Sequence, residues 1–170
     1  MNHWRITKYN PQYRNRKGIY TKHDWTDISD VGNTFSGQVL TLDTYLKTEN
    51  AYIATMNHFW QAANFPALKI SSLETYSSED LVDPTLAPTY EKYAHSSKTQ
   101  VISSEDMEGI GRLMLRGLLW GKLEAPNVFH IHFGYDLYLY IGSVCDCPQA
   151  IAKATQLGLY VETLLSPYLS

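Results

Sequence analysis

Cysteine is scarce in this chain, and the pair it has, Cys145 and Cys147, is separated by a single residue. A bridge over so short a span is geometrically poor, so no disulfide framework is expected. Two thiols alone are too few for a structural zinc, and they read as small, reduced apolar side chains. No run of about 18 apolar residues exists to span a bilayer. The opening residues, Met1-Asn2-His3-Trp4-Arg5, lack the apolar stretch of a secretory leader. The expected compartment is therefore the cytoplasm, with no membrane partner. Catalytic and nucleotide signatures are missing too: no Gly-x-Gly-x-x-Gly, phosphate loop, His-Glu-x-x-His, Cys-x-x-Cys or Gly-x-Ser-x-Gly elbow occurs. No cofactor and no metal is expected. Nor is there a repeat, a low-complexity tract or a segment poor enough in hydrophobics to stay disordered.

What is present is an ordinary apolar content spread over 170 residues, which favours one domain over 1–170. Tyrosine is abundant, at 13 residues. Its ring wants burial and its hydroxyl wants a partner, so it suits half-buried sheets and recognition surfaces. The net charge is only -3, but it is unevenly laid out. Arg5, Lys8, Arg14, Arg16, Lys17 and Lys22 precede the first acid, which leaves 8 of the 14 basic residues against all 17 acids in the remainder. The acids gather at Asp24, Asp27 and Asp30, and again at Glu74, Glu79, Asp80 and Asp83.

Periodicity predicts an α+β fold. Trp4 to Tyr9 reads as a strand ended by Asn10-Pro11, and residues 10–40 as an ordered loop packing down through Trp25, Ile28, Val31 and Phe35. Leu42 to Ala63 repeats its apolar residues at spacings of three and four, so it reads as a long helix capped by Thr41. Ala67 to Tyr76 reads as a strand and 77–103 as loop, with a helical turn near Thr89 to Ala94. Ser103 and Asp106 resemble a capping box opening a second long helix. Met107, Ile110, Leu113, Met114, Leu118 and Leu119 form its apolar face, and Gly117 and Gly121 share one side. Val128 to Gly142 reads as a hairpin around Gly134-Tyr135-Asp136, setting His132 across from Tyr138 and His130 across from Tyr140. A short helix begins at Asp146 or Cys147 and stops at Gly158, and Leu159 to Leu165 is a final strand. The expectation is a single, mostly antiparallel sheet with a hairpin in its C-terminal half, covered by two long helices and one short one.

Among residues that carry chemistry, His130 and His132 stand first. Alternate positions on a strand share a face. Two imidazoles there suit acid–base hydrolysis, as in metal-free RNA cleavage, or begin a metal site that still lacks a third ligand, with Asp136 the only nearby carboxylate. Packing beside Tyr138 and Tyr140 is the structural alternative. Arg112 and Arg116 form either an anion clamp or an exposed stripe partly neutralised by Glu108. The basic N-terminal segment interleaves Trp4, Tyr9, Tyr13 and Tyr20 with its cations, a mixture that suits single-stranded nucleic acid, although the overall acidity argues against it. The acidic clusters, flanking Trp25 and Tyr76, suit a basic protein partner.

Two stretches also carry a resemblance. Trp4-Arg5-Ile6-Thr7-Lys8-Tyr9-Asn10-Pro11, with Trp25-Thr26 and Ser29-Asp30, is one. His132-Phe133-Gly134-Tyr135-Asp136, running into Tyr140-Ile141-Gly142-Ser143, is the other. They resemble a group of small bacterial cytoplasmic proteins of unassigned function. In size, acidity and lack of motifs the chain is similar to immunity proteins of polymorphic-toxin and contact-dependent-inhibition systems. That likeness implies a binding protein that occludes the active site of a cognate toxin. The expected contacts are Asp24, Trp25, Asp27, Asp30, Glu79, Asp80 and Asp83 with the His130, His132, Tyr138 and Tyr140 face. The alternatives are a hydrolase or nuclease using His130 and His132, and a nucleic-acid module using the basic segment.

Overall fold

The computed structural model describes residues 1–76, 83–95 and 100–169. Nine strands are described: β1 (Asn2–Thr7), β2 (Thr34–Phe35), β3 (Gln38–Val39), β4 (Lys69–Thr75), β5 (Gln100–Val101), β6 (Leu119–Ala125), β7 (Phe129–Phe133), β8 (Leu139–Ser143) and β9 (Tyr160–Thr163). Four helices accompany them: α1 (Leu42–Ala62), α2 (Ala87–Ala94), α3 (Met107–Leu115) and α4 (Pro148–Gln156). Seven strands form one sheet in the order β5-β4-β6-β7-β8-β1-β9, and every pairing is antiparallel. This is the expected α+β architecture.

The inner face of the sheet follows from alternation. Trp4, Ile6, Ile70, Leu123, Phe129, Ile131, Leu139 and Ile141 are all buried in one apolar cluster with Tyr52, Met56 and Phe59 of α1. Trp4 meets Phe59 with ring centroids 5.1 Å apart. Strand β6 buries only alternate residues, whereas β7 and β8 are buried throughout. The central strands have a second cover, because the C-terminal segment after β9 crosses their outer face.

Thr41 caps α1 as its sequence predicts, accepting the Thr44 N–H at 3.2 Å. α4 starts at Pro148, and Gly158 ends it with φ +87°. The second long helix is not formed. α3 covers nine residues, and Gly117, at φ +69°, turns the chain out of it. The Gly117 N–H reaches Met114 O at 3.1 Å and the Leu118 N–H reaches Leu113 O at 2.9 Å, a helix-ending Schellman pair. The residues expected to extend the helix form β6, where Leu119, Gly121, Leu123 and Ala125 alternate inward. Gly121 therefore faces a neighbouring strand, not a helix: a Cβ there would lie 3.1 Å from Ser71 O. The capping box is absent as well. Asp106 makes no cap bond to the helix, and instead accepts from Ser103 Oγ at 2.6 Å and Tyr93 Oη at 2.8 Å.

The hairpin keeps the predicted faces but not the predicted register. His132 pairs with Tyr140 and His130 with Gly142, because the connection 134–138 is five residues long. A shift of two residues preserves which side chains point inward. Within the 10–40 loop the chain also forms the β2–β3 ribbon around Ser36 and Gly37, both at positive φ.

Candidate functional site

His130 and His132 lie on the outer face, with 4% and 1% of their surface exposed. Their rings stack at 4.4 Å with planes 16° apart. His130 leans over Gly142, where a Cβ would sit only 2.1 Å from its Cε1. The missing side chain lets it reach across β8 toward His3 of β1, whose ring centroid is 5.4 Å away. His132 is held at both nitrogens, by Ser166 Oγ at Nδ1 (2.8 Å) and by Glu124 Oε1 at Nε2 (3.1 Å). The Glu124 carboxylate only accepts, so Nε2–H donates to it, and in the neutral ring Nδ1 then accepts from the Ser166 hydroxyl, whose oxygen also accepts the Tyr168 N–H at 3.2 Å. Burial, then the adjoining imidazoles of His132 and His3, lower His130 to about 4. Burial also lowers His132, more than Glu124 draws it back. Both are neutral at pH 7.

A hydroxyl, an imidazole and a carboxylate thus form one hydrogen-bonded chain. Ser166 is 3% exposed, and neither His130 nor His132 lines the cavity beside the hairpin turn or the groove at the 10–40 loop. Tyr168 closes over the group, packing on His132, Trp120 and Tyr140 at 6.3, 5.6 and 5.9 Å. The arrangement fastens the C-terminal segment to the sheet. Among the described residues no three His, Cys, Asp or Glu side chains group as metal ligands.

The other expected contacts are distributed differently from their sequence reading. Trp25 is 8% exposed and belongs to the core. Lys8 Nζ stands 3.9 Å over its ring and 2.9 Å from Asp24. Asp27 caps a short turn through the Ser29 N–H at 2.6 Å, and Asp30 accepts the Thr26 N–H at 2.7 Å. Asp83 accepts from Thr85 and pairs with Arg116 at 3.2 Å. Glu79 and Asp80 lie outside the described residues. Tyr140 is buried, and the Tyr138 hydroxyl is 3.0 Å from Arg14 Nη1.

The arginine pair is spent internally, and so is half of the basic segment. Arg112 and Arg116 clamp Glu49, a fully buried carboxylate on α1, at 2.6 Å each; this is an anion clamp whose anion belongs to the fold. Its sign in the sequence was Glu49 itself, a charge on the apolar side of α1. In the basic segment Arg5 and Arg14 share Glu162, at 2.9 and 3.3 Å, and Lys8 takes Asp24. Arg16, Lys17 and Lys22 remain exposed.

The feature that sequence reasoning passed over is the hairpin connection itself. Tyr135 is 70% exposed. Asp136 and Leu137 follow at φ +58° and +59°, a costly conformation for leucine. The buried Tyr52 hydroxyl holds it there, donating to Leu137 O and accepting the Lys8 N–H, each at 2.7 Å. Beside this fixed turn opens a cavity of about 280 Å³, walled by Met114, Leu119, Trp120, Phe133 and Leu137, with Asp27, Asp136, Arg116 and Tyr76 also lining it. A shallower groove of about 450 Å³ runs past Tyr13, Tyr20, His23 and Phe35 at the 10–40 loop. The sequence signal was a tyrosine at the tip of a tight connection, where burial is unavailable. Comparison with protein-family models, curated proteins and solved structures gave no match.

Proposed function

We propose that this protein binds a protein partner through the end of the sheet that carries the Gly134–Tyr138 turn. One observation carries the reading: a large, exposed aromatic side chain stands on a backbone held rigid from within, beside an apolar recess. Exposed tyrosine on a fixed turn gives contact area at little entropic cost, the usual character of an interface anchor. The engagement of Asp24 and Asp30 inside the fold, with the burial of Trp25, His130 and His132, moves the contact surface away from those residues and toward Tyr135, Asp136, Tyr76 and Asp27. The most concrete form of this function is neutralisation of a cognate bacterial toxin by covering its active site. In that form the native chain rescues cells expressing the toxic product of the adjacent gene, and Tyr135→Ala does not. Equal rescue by Tyr135→Ala at equal protein level contradicts the reading.

A second reading, histidine-dependent hydrolysis, is favoured by the Ser166–His132–Glu124 chain. It requires the C-terminal segment to lift. A fluorophosphonate probe then labels Ser166 in the native protein, and the label disappears in His132→Ala. Absence of labelling leaves His132 with the role of holding the segment.

A further inference from the structure

We infer that the recess beside Tyr135 receives a lysine or arginine side chain of the partner. The inference rests on the binding function proposed above and specifies the chemistry of what is bound. Size comes first. At about 280 Å³ the recess lies at the lower edge of the roughly 300–1,000 Å³ typical of small-molecule sites, and it has room for one inserted side chain.

The walls then select its type. Met114, Leu119, Phe133 and Leu137 give an apolar lining for an alkyl stem. The aromatic residues Trp120 and Tyr135 line the same recess, and aromatic rings attract cations. Asp27 and Asp136 supply two carboxylates, and Glu74 is close by, accepting from the Tyr76 hydroxyl at 3.2 Å. Among the described lining residues the one cation is Arg116, whose guanidinium is already divided between Glu49 and Asp83. The balance of the lining is therefore negative. Asp27 also caps the Ser29 N–H through Oδ1, but it keeps its charge; a neutral side chain would leave the negative balance uncompensated, and an acidic one would be repelled.

The held backbone is the independent support. Consecutive left-handed residues at Asp136 and Leu137 put a carboxylate and an apolar wall on the same short turn. The Tyr52 hydroxyl holds the Leu137 carbonyl before any partner arrives, so the backbone of the turn is formed in advance.

The test is selection of binders to the intact chain from a phage library of random dodecapeptides, followed by affinity measurement of the recovered peptides. The expected result is enrichment of Arg or Lys, competition by N-acetyl-arginine methylamide, and a loss of about tenfold or more with Tyr135→Ala and with Asp136→Asn. Asparagine tolerates the same backbone conformation, so the second variant reports charge alone. Peptides that depend on Tyr135 but lack basic residues overturn this inference and leave the binding function standing. Selection that yields no Tyr135-dependent peptide overturns both.

Discussion

The outer face of the sheet and the end of the sheet at residues 134–138 hold the same kinds of side chain and use them oppositely. On the face, His3, His130, His132, Tyr140 and Tyr168 turn toward one another; both ring nitrogens of His132 are satisfied internally, while His130 Nε2 and His3 Nδ1 are buried without a hydrogen-bond partner among the described residues. At the end, Tyr135 and Asp136 face outward on a backbone fixed from below. Ionisable groups sealed against one another belong to the fold and are closed to a partner. Those displayed on a rigid support are available to a partner.

Acid breaks this contrast most strongly. His130 is lowered from its ordinary 6.5 to about 4 by burial and by His132 and His3. The groups facing the stack are His3, Glu124, Lys122, Ser166 and Tyr168. The unfolded chain binds protons first, so stability is full above about 6.5 and falls as pH drops toward about 4. Urea midpoints across that window should decline steeply for the native chain and less steeply for His130→Gln. Equal slopes would separate the acid sensitivity from the imidazole stack.

Filling the space under His130 comes next. Gly142→Ala puts a methyl within contact-breaking distance of the ring and should cost about 1–3 kcal/mol by overpacking, read from thermal or urea unfolding. Ser166→Ala should cost about 1–2 kcal/mol by leaving His132 Nδ1 unpartnered. It should also speed proteolysis after β9, which gel or mass analysis would detect. Tyr135→Ala should change stability by no more than about 0.5 kcal/mol, because so exposed a side chain contributes little to the core. A large loss there would move Tyr135 from the binding surface into the fold.

Elements governed by local pattern were legible in the sequence. α1 with its Thr41 cap, α4 with its Gly158 stop and the two faces of the hairpin follow from spacing alone. β6 was not, because Leu118 to Ala125 continues the apolar density of α3, and one left-handed glycine decides where the helix ends. The site was half legible. The shared face of His130 and His132 was there to read, but their stacking depends on Gly142 and on Ser166, which arrives from 34 residues away. The clamp on Glu49 spans 63 and 67 residues, and no spacing rule pairs residues so distant.

The central claim is that the imidazole pair is sealed while the hairpin connection is open, and histidine modification by diethylpyrocarbonate at pH 7 tests it within one molecule. His23 and His95 are exposed and serve as the internal reference. The account predicts rapid modification at those positions, with His130 and His132 protected until the chain unfolds. Modification of His130 and His132 at the rate of His95 would contradict it and return the pair to the solvent as a working site.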